Sequence, residues 1–217
     1  MTTYATIDQQ LAAAGLALNN ARSDGDLAGP LAEFGYDAER LTAGWALYEA
    51  AAAAQQRFTQ EYGEQFTASD TFTVAKDAAQ ATYSRYMKIA RVALKEERGA
   101  GAKLALDGRR KRSLAGWLAQ ARQFYANAQA DAEVLAALGQ FGVTAEKLAA
   151  GQAQVDAVEA LAAAQKKETG EAQQATQKRD EALEALDGWM SDFVAIARIA
   201  LEENPQWLEK LGVLARS

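Results

Sequence analysis

The stretch from Leu31 to Glu97 recurs 107 positions later as Leu138 to Asn204, with no gap and with 24 identities in 67 aligned positions. LAEFGYDAERLTAG stands over LGQFGVTAEKLAAG at one end, and KIARVALKEE over AIARIALEEN at the other. A repeat of this length constrains the architecture before any function is considered, because each copy must form the same set of elements. The repeat predicts two halves, 1–107 and 108–217, built alike. Each half holds too few long helices to bury its own apolar faces well, so one shared core is expected rather than two independent domains.

The elements read as helices. Ala, Leu, Glu, Gln, Lys and Arg dominate, and only Pro30 and Pro205 interrupt. A first helix is expected over Thr6–Ser23 and its counterpart over Ser113–Ala130. Short helices follow near Pro30–Phe34, with Gly29-Pro30 as its start, and near Ala132–Phe141. Asp37 and Thr144 cap the next helices, with Glu39 and Glu146 in the first turn. Leu41, Gly44, Tyr48, Ala51, Gln55, Phe58 and Tyr62 alternate at spacings of three and four, as do Leu183, Leu186, Met190, Phe193, Ala197 and Ala200. Gly63, Gly170 and the cap signal Ser69-Asp70 suggest a break, giving four long helices near 37–66, 69–98, 144–169 and 172–203. The fold expected is therefore an all-α antiparallel helical bundle of two tandem repeats with pseudo-two-fold symmetry. Gly44 and Gly151 sit mid-helix at matched positions and predict close packing there.

Several chemistries are closed to this chain. It has no Cys and no His, which removes thiolate nucleophiles, disulfides, imidazole bases and the usual transition-metal sites. No phosphate-binding Gly-rich loop, nucleophile elbow or calcium loop is present. No cofactor is expected, and no enzyme activity. The net charge of −6 argues against general nucleic-acid binding. No apolar run reaches the length of a membrane span, and MTTYATIDQQ lacks the features of a secretory leader. A soluble cytoplasmic protein is expected.

Four groups of residues invite a functional reading. Arg91 and Arg198 lie between apolar residues in IARVAL and IARIAL. They are expected to pair with Glu39 and Glu146 as register-setting salt bridges, or to hold a carboxylate or phosphate ligand. The matched acids Glu61 and Glu168, Glu64 and Glu171, and Glu96 and Glu203 read as solvated helix faces. The first copy is richer in aromatics. Trp45, Tyr48, Tyr83 and Tyr86 could line an apolar pocket, while Trp117, Phe124 and Tyr125 in the second copy's first helix could pack against them. The run Arg109, Arg110, Lys111 and Arg112 reads as a solvated connector or as a contact for an anionic partner. The function expected is a non-catalytic structural, scaffold or protein-interaction role, with self-association open. The alternative is a binding protein for a small apolar or anionic ligand between two helical hairpins.

Overall fold

A computed structural model describes residues 6–214, the Arg98 side chain apart, so the segment MTTYA lies outside the described residues. The chain is all-helical, and no strand occurs among the described residues. The elements are α1 (Ile7–Ser23), α2 (Gly25–Glu33), α3 (Ala38–Ala93), α4 (Arg98–Lys103), α5 (Leu114–Ala130), α6 (Ala132–Gly139), α7 (Ala145–Ala200) and α8 (Trp207–Lys210).

α1 and α5 begin where the sequence indicates. Thr6 accepts from the Gln9 amide and Ser113 from the Gly116 amide, satisfying donors at each helix start. α2 departs from expectation. It starts at Gly25, capped by Asp24, and carries Pro30 in its interior rather than at its start. The Asp24 carboxylate accepts from the Asp26 amide. Leu27 and Leu31, one turn apart, are fully buried. Their burial outweighs the single hydrogen bond that Pro30 cannot donate.

The main correction concerns the long helices. Four were expected, yet α3 and α7 are single helices of 56 residues each, about 84 Å long at the usual rise. Gly63 and Gly170 lie within them and Ser69-Asp70 starts nothing. The threonine hydroxyls around Ser69-Asp70 bond backwards to the helix's own carbonyls. Thr67 Oγ1 donates to the Gly63 carbonyl at 3.0 Å, Thr71 Oγ1 to Thr67 at 2.7 Å and Thr73 Oγ1 to Ser69 at 2.9 Å. A hydroxyl satisfied at i−4 no longer competes for the turn ahead of it.

The chain divides into two compact units. Unit 1 comprises Met1–Tyr62 and Glu171–Ser217, and unit 2 comprises Gly63–Gly170. In unit 1, the seam Leu41, Gly44 and Ala51 of α3 runs beside Leu183, Leu186, Phe193 and Ala197 of α7. α1 and α2 cover it with Ala17, Ala21, Leu27 and Leu31. In unit 2, Ala79, Tyr83 and Ala90 of α3 share a core with Leu148, Val155 and Val158 of α7. α5 and α6 close it with Trp117, Phe124, Tyr125, Val134 and Leu138.

The two glycines expected at close contacts are buried, and each faces an aromatic ring. A Cβ at Gly44 would meet the Trp189 ring, and one at Gly151 would stand 2.6 Å from Tyr125. Unit 1 thus fills this space from α7 and unit 2 fills it from α5. The sequence shows the exchange: Trp189 matches Thr82, and Tyr125 matches Leu18 at the same offset. One large and one smaller residue serve each unit, so core volume is kept while its source changes.

A clamp ties the chain after each long helix to a first helix. In unit 1, Asn20 Nδ2 donates to the Lys210 carbonyl at 2.6 Å, and Lys210 Nζ reaches Asp24 at 2.8 Å and Asp26 at 2.9 Å. In unit 2, Asn127 donates to the Lys103 carbonyl and Lys103 Nζ pairs with Asp131. The ammonium groups hold both aspartates below the usual carboxylate range, helped by backbone amides at the helix starts. A carboxyl group lowered in the folded state adds stability above its unfolded value near 3.8, and that stability is lost as the pH falls through the lowered native value. The expected result is a denaturation midpoint that drops below about pH 4. An Asp24→Asn/Asp131→Asn variant should show a lower midpoint at pH 7 and a flatter profile. Urea titrations from pH 7 to pH 2.5 check this, and parallel profiles would remove the clamp from the account.

Candidate functional site

The arginines singled out from sequence are exposed and make no ion pair with Glu39 or Glu146 among the described residues. Glu39 and Arg91 stand in the first and last turns of α3, so roughly 52 residues of continuous helix keep them about 78 Å apart. Each guanidinium instead holds the chain that follows its helix. Arg91 donates from Nε and Nη2 to the Leu106 carbonyl at 3.0 and 2.6 Å, and Arg198 Nη1 donates to the Leu214 carbonyl at 3.4 Å. Glu146 is exposed, and the Thr144 hydroxyl and a backbone amide lower its carboxyl pKa. The paired charges expected at these positions belong to the Lys–Asp clamps. Both clamps lie at the repeat offset: Lys103 matches Lys210, Asn20 matches Asn127 and Asp24 matches Asp131.

The aromatic residues divide between the units. In unit 1, Trp45 and Tyr48 pack 4.9 Å apart, with Arg22 over the Trp45 ring and Glu49 accepting from its Nε1. In unit 2, Tyr83 is fully buried, with ring centres 6.5 Å from Trp117, 5.6 Å from Phe124 and 6.2 Å from Tyr125. Tyr86 meets Tyr125 edge-on at 6.5 Å. The second copy's first helix thus packs on the C-terminal half of the first copy's long helix. Burial raises the Tyr83 phenol, opposed by the charges of Arg110 and Arg91. These rings fill a core. Cavities of 250 to 410 Å³ open elsewhere among the described residues of one unit or the other, and no tyrosine lines these.

The matched acids are not all solvated. Glu61 is 2% exposed. One of its oxygens pairs with Arg57 on the same helix, while Oε2 is buried without a partner. A carboxylate oxygen of Glu171, also in unit 1, lies within 4.8 Å of it. Carboxylate oxygens brought this close are donors of the kind a hard cation takes. In unit 2, Glu168 pairs with Lys167 at 3.4 Å. It shares a 380 Å³ cavity with Glu64, Thr67, Thr71 and Leu161.

Two other surfaces carry chemistry. In the pattern FG-x-x-A-E-[RK]-L-x-A-G, nearly every member has a structural task. Gly35 and Gly142 take φ of +84° and +74°, and Tyr36 and Val143 donate back to Leu31 and Leu138 as each short helix ends. Leu41 and Leu148 are core, and Gly44 and Gly151 admit the rings. The phenylalanines differ. Phe34 is 45% and Phe141 52% exposed, and the matched β-branched pair Val92 and Ile199 is 58% and 50% exposed. In unit 1, Phe34 and Ile199 line one cavity of 250 Å³ with Glu33, Glu202, Glu203 and Trp207.

The second surface is the basic loop of unit 2. Arg109, Arg110, Lys111 and Arg112 form a 410 Å³ cleft with Gln80 of α3 and Trp117 of α5. Arg110 Nη2 donates to Ser84 Oγ at 2.8 Å, and that hydroxyl donates to the Gln80 carbonyl at 2.6 Å. The Lys111 amide donates to Gln120 Oε1 at 3.2 Å. The loop is thus tied to α3 on one side and α5 on the other. Among the described residues, no helix is long and apolar enough to cross a membrane. Comparison with known proteins finds no matching family model, no matching curated protein and no matching solved structure.

Proposed function

We propose that this chain is a non-catalytic structural module that associates with copies of itself through the apolar surfaces around Phe34 and Phe141. The reading is carried by one observation: Phe34 with Ile199, and Phe141 with Val92, are exposed at matched positions, while the matched apolar pairs Leu31 with Leu138 and Tyr36 with Val143 are buried. Single exposed apolar residues are ordinary, whereas a matched set without an internal packing role suits a partner. The absence of His and Cys removes the commonest catalytic groups and leaves binding as the simpler activity.

The rims of the two surfaces differ in charge. Glu33 and Glu202 border one, and the matched positions of the other are Gln140 and Lys95. Unlike surfaces therefore suit each other better than like ones, which favours a heterologous contact that repeats along a chain of molecules. Descent from a homodimer whose subunits became fused would leave one such surface on each copy. Each unit would then correspond to one half of an exchanged dimer, with first helices from one copy and the end of a long helix from the other.

Sedimentation velocity from about 1 to 300 µM tests the reading. Average mass should rise with concentration. A Phe34→Glu/Phe141→Glu variant should sediment as a monomer with unchanged helicity and melting. A wild-type chain that remains monomeric throughout, or a variant that associates equally, overturns it. An apolar pocket lined by Trp45, Tyr48, Tyr83 and Tyr86 receives no comparable support, since these rings pack against one another and against α1 or α5.

A further inference from the structure

We propose that the cleft of unit 2 formed by Gln80, Arg109, Arg110, Lys111, Arg112 and Trp117 binds a small molecule carrying two or more linked phosphate groups. The cleft brings four cations to one concave surface of 410 Å³, a volume suited to a small ligand. None of the four pairs with a carboxylate among the described residues, although the chain has 29 acidic residues against 23 basic ones. Concentrated like charge repels itself, and a multivalent anion relieves that cost.

Geometry favours a bound anion over a free connector. The Arg110–Ser84 and Lys111–Gln120 hydrogen bonds fix the loop between two helices, so less ordering remains to oppose binding. Guanidinium groups present paired donors that fit phosphate oxygens. At the wall of the cleft, Trp117 is 2% exposed and its buried Nε1–H has no acceptor. A buried indole N–H ordinarily finds one, so this wall of the cleft carries an unmet polar group beneath its surface.

Two larger anionic partners fit less well. A membrane surface calls for exposed apolar side chains beside the cations, and the one aromatic residue in the cleft is buried. Single-stranded nucleic acid calls for exposed rings on which bases stack, and the cleft offers none. The proposal is independent of the Phe34 and Phe141 surfaces, so either can fail without the other.

Isothermal titration of the full chain with inorganic tripolyphosphate at about 0.15 M KCl tests it. The expected result is one site with Kd on the order of tens of micromolar. ATP should bind comparably and adenosine should not. Arg109→Gln/Arg112→Gln, both on the exposed loop, should weaken binding at least about tenfold with melting unchanged. Kd above about 1 mM, or affinity unchanged in the arginine variant, overturns the proposal. So does tight binding of phosphatidylserine vesicles or of an oligonucleotide that tripolyphosphate fails to displace.

Discussion

Alanine at Gly170 is expected to stabilise the protein by about 1 kcal/mol, and proline at the same position to destabilise it by about 3 kcal/mol or more. Both follow from the continuity of α7. Gly170 is exposed, lies inside the helix and has nothing within 4 Å of where a Cβ would stand. Alanine there gains helix propensity without a clash. Proline removes a hydrogen bond and drives its ring into the preceding turn. Gly63 in α3 has the same surroundings and should respond alike. The same glycine-to-alanine change at Gly151 should have the opposite sign, because the new methyl would stand 2.6 Å from the buried Tyr125 ring. Overpacking of that kind costs about 1–3 kcal/mol, enough to outweigh the gain in propensity. Urea midpoints of the single variants settle the matter. A stabilising Gly170→Pro, or a destabilising Gly170→Ala, would return the chain to the hairpin expected from sequence.

Phe124→Ala should destabilise the protein by about 3–5 kcal/mol. Phe124 is fully buried between Tyr83 of α3 and Tyr125 of α5, with ring centres 5.6 and 5.2 Å away. Its matched residue is Ala17, so the same position in unit 1 does with a methyl group. The loss is specific to a core that the second copy's first helix fills with rings. A cycle combining Phe124→Leu with Tyr83→Leu should show a coupling of about 0.5–1.5 kcal/mol, the usual worth of an edge-to-face pair. Additive losses would mean that the two rings are merely buried in the same region.

Much of the local structure was legible in the chain. Thr6 and Ser113 marked helix starts because a hydroxyl at a first turn has one strong use. The three-four spacing marked the seams because only one face of a long helix reaches a core. Gly44 and Gly151 marked tight contacts because glycine is costly in mid-helix unless a neighbour needs the room. Long-range relations were harder. Ser69-Asp70 looked like a cap, since a Ser-Asp pair reads the same at a helix start and inside a continuous helix such as α3. Once that break was assumed, Glu39 and Arg91 seemed close enough to pair, and the continuous helix separates them. Lys103 and Lys210 match at the repeat offset, yet their role in the clamps was not legible because a matched lysine does not show which acid it reaches. The basic loop was visible as charge, but its cleft depends on how α3 and α5 stand beside it.

The division into units also orders events along the growing chain. Unit 2 is one uninterrupted stretch, Gly63–Gly170, and is complete once Gly170 has been made. Unit 1 is split around it: Asn20 and Asp24 meet their partner only when Lys210 has been made. Synthesis therefore supplies a closed core in the middle first, while α1 and α2 stay without the helix end that covers them. Residues of α1 and α2 are made well before the segment that buries them, so a nascent chain of this design needs protection there.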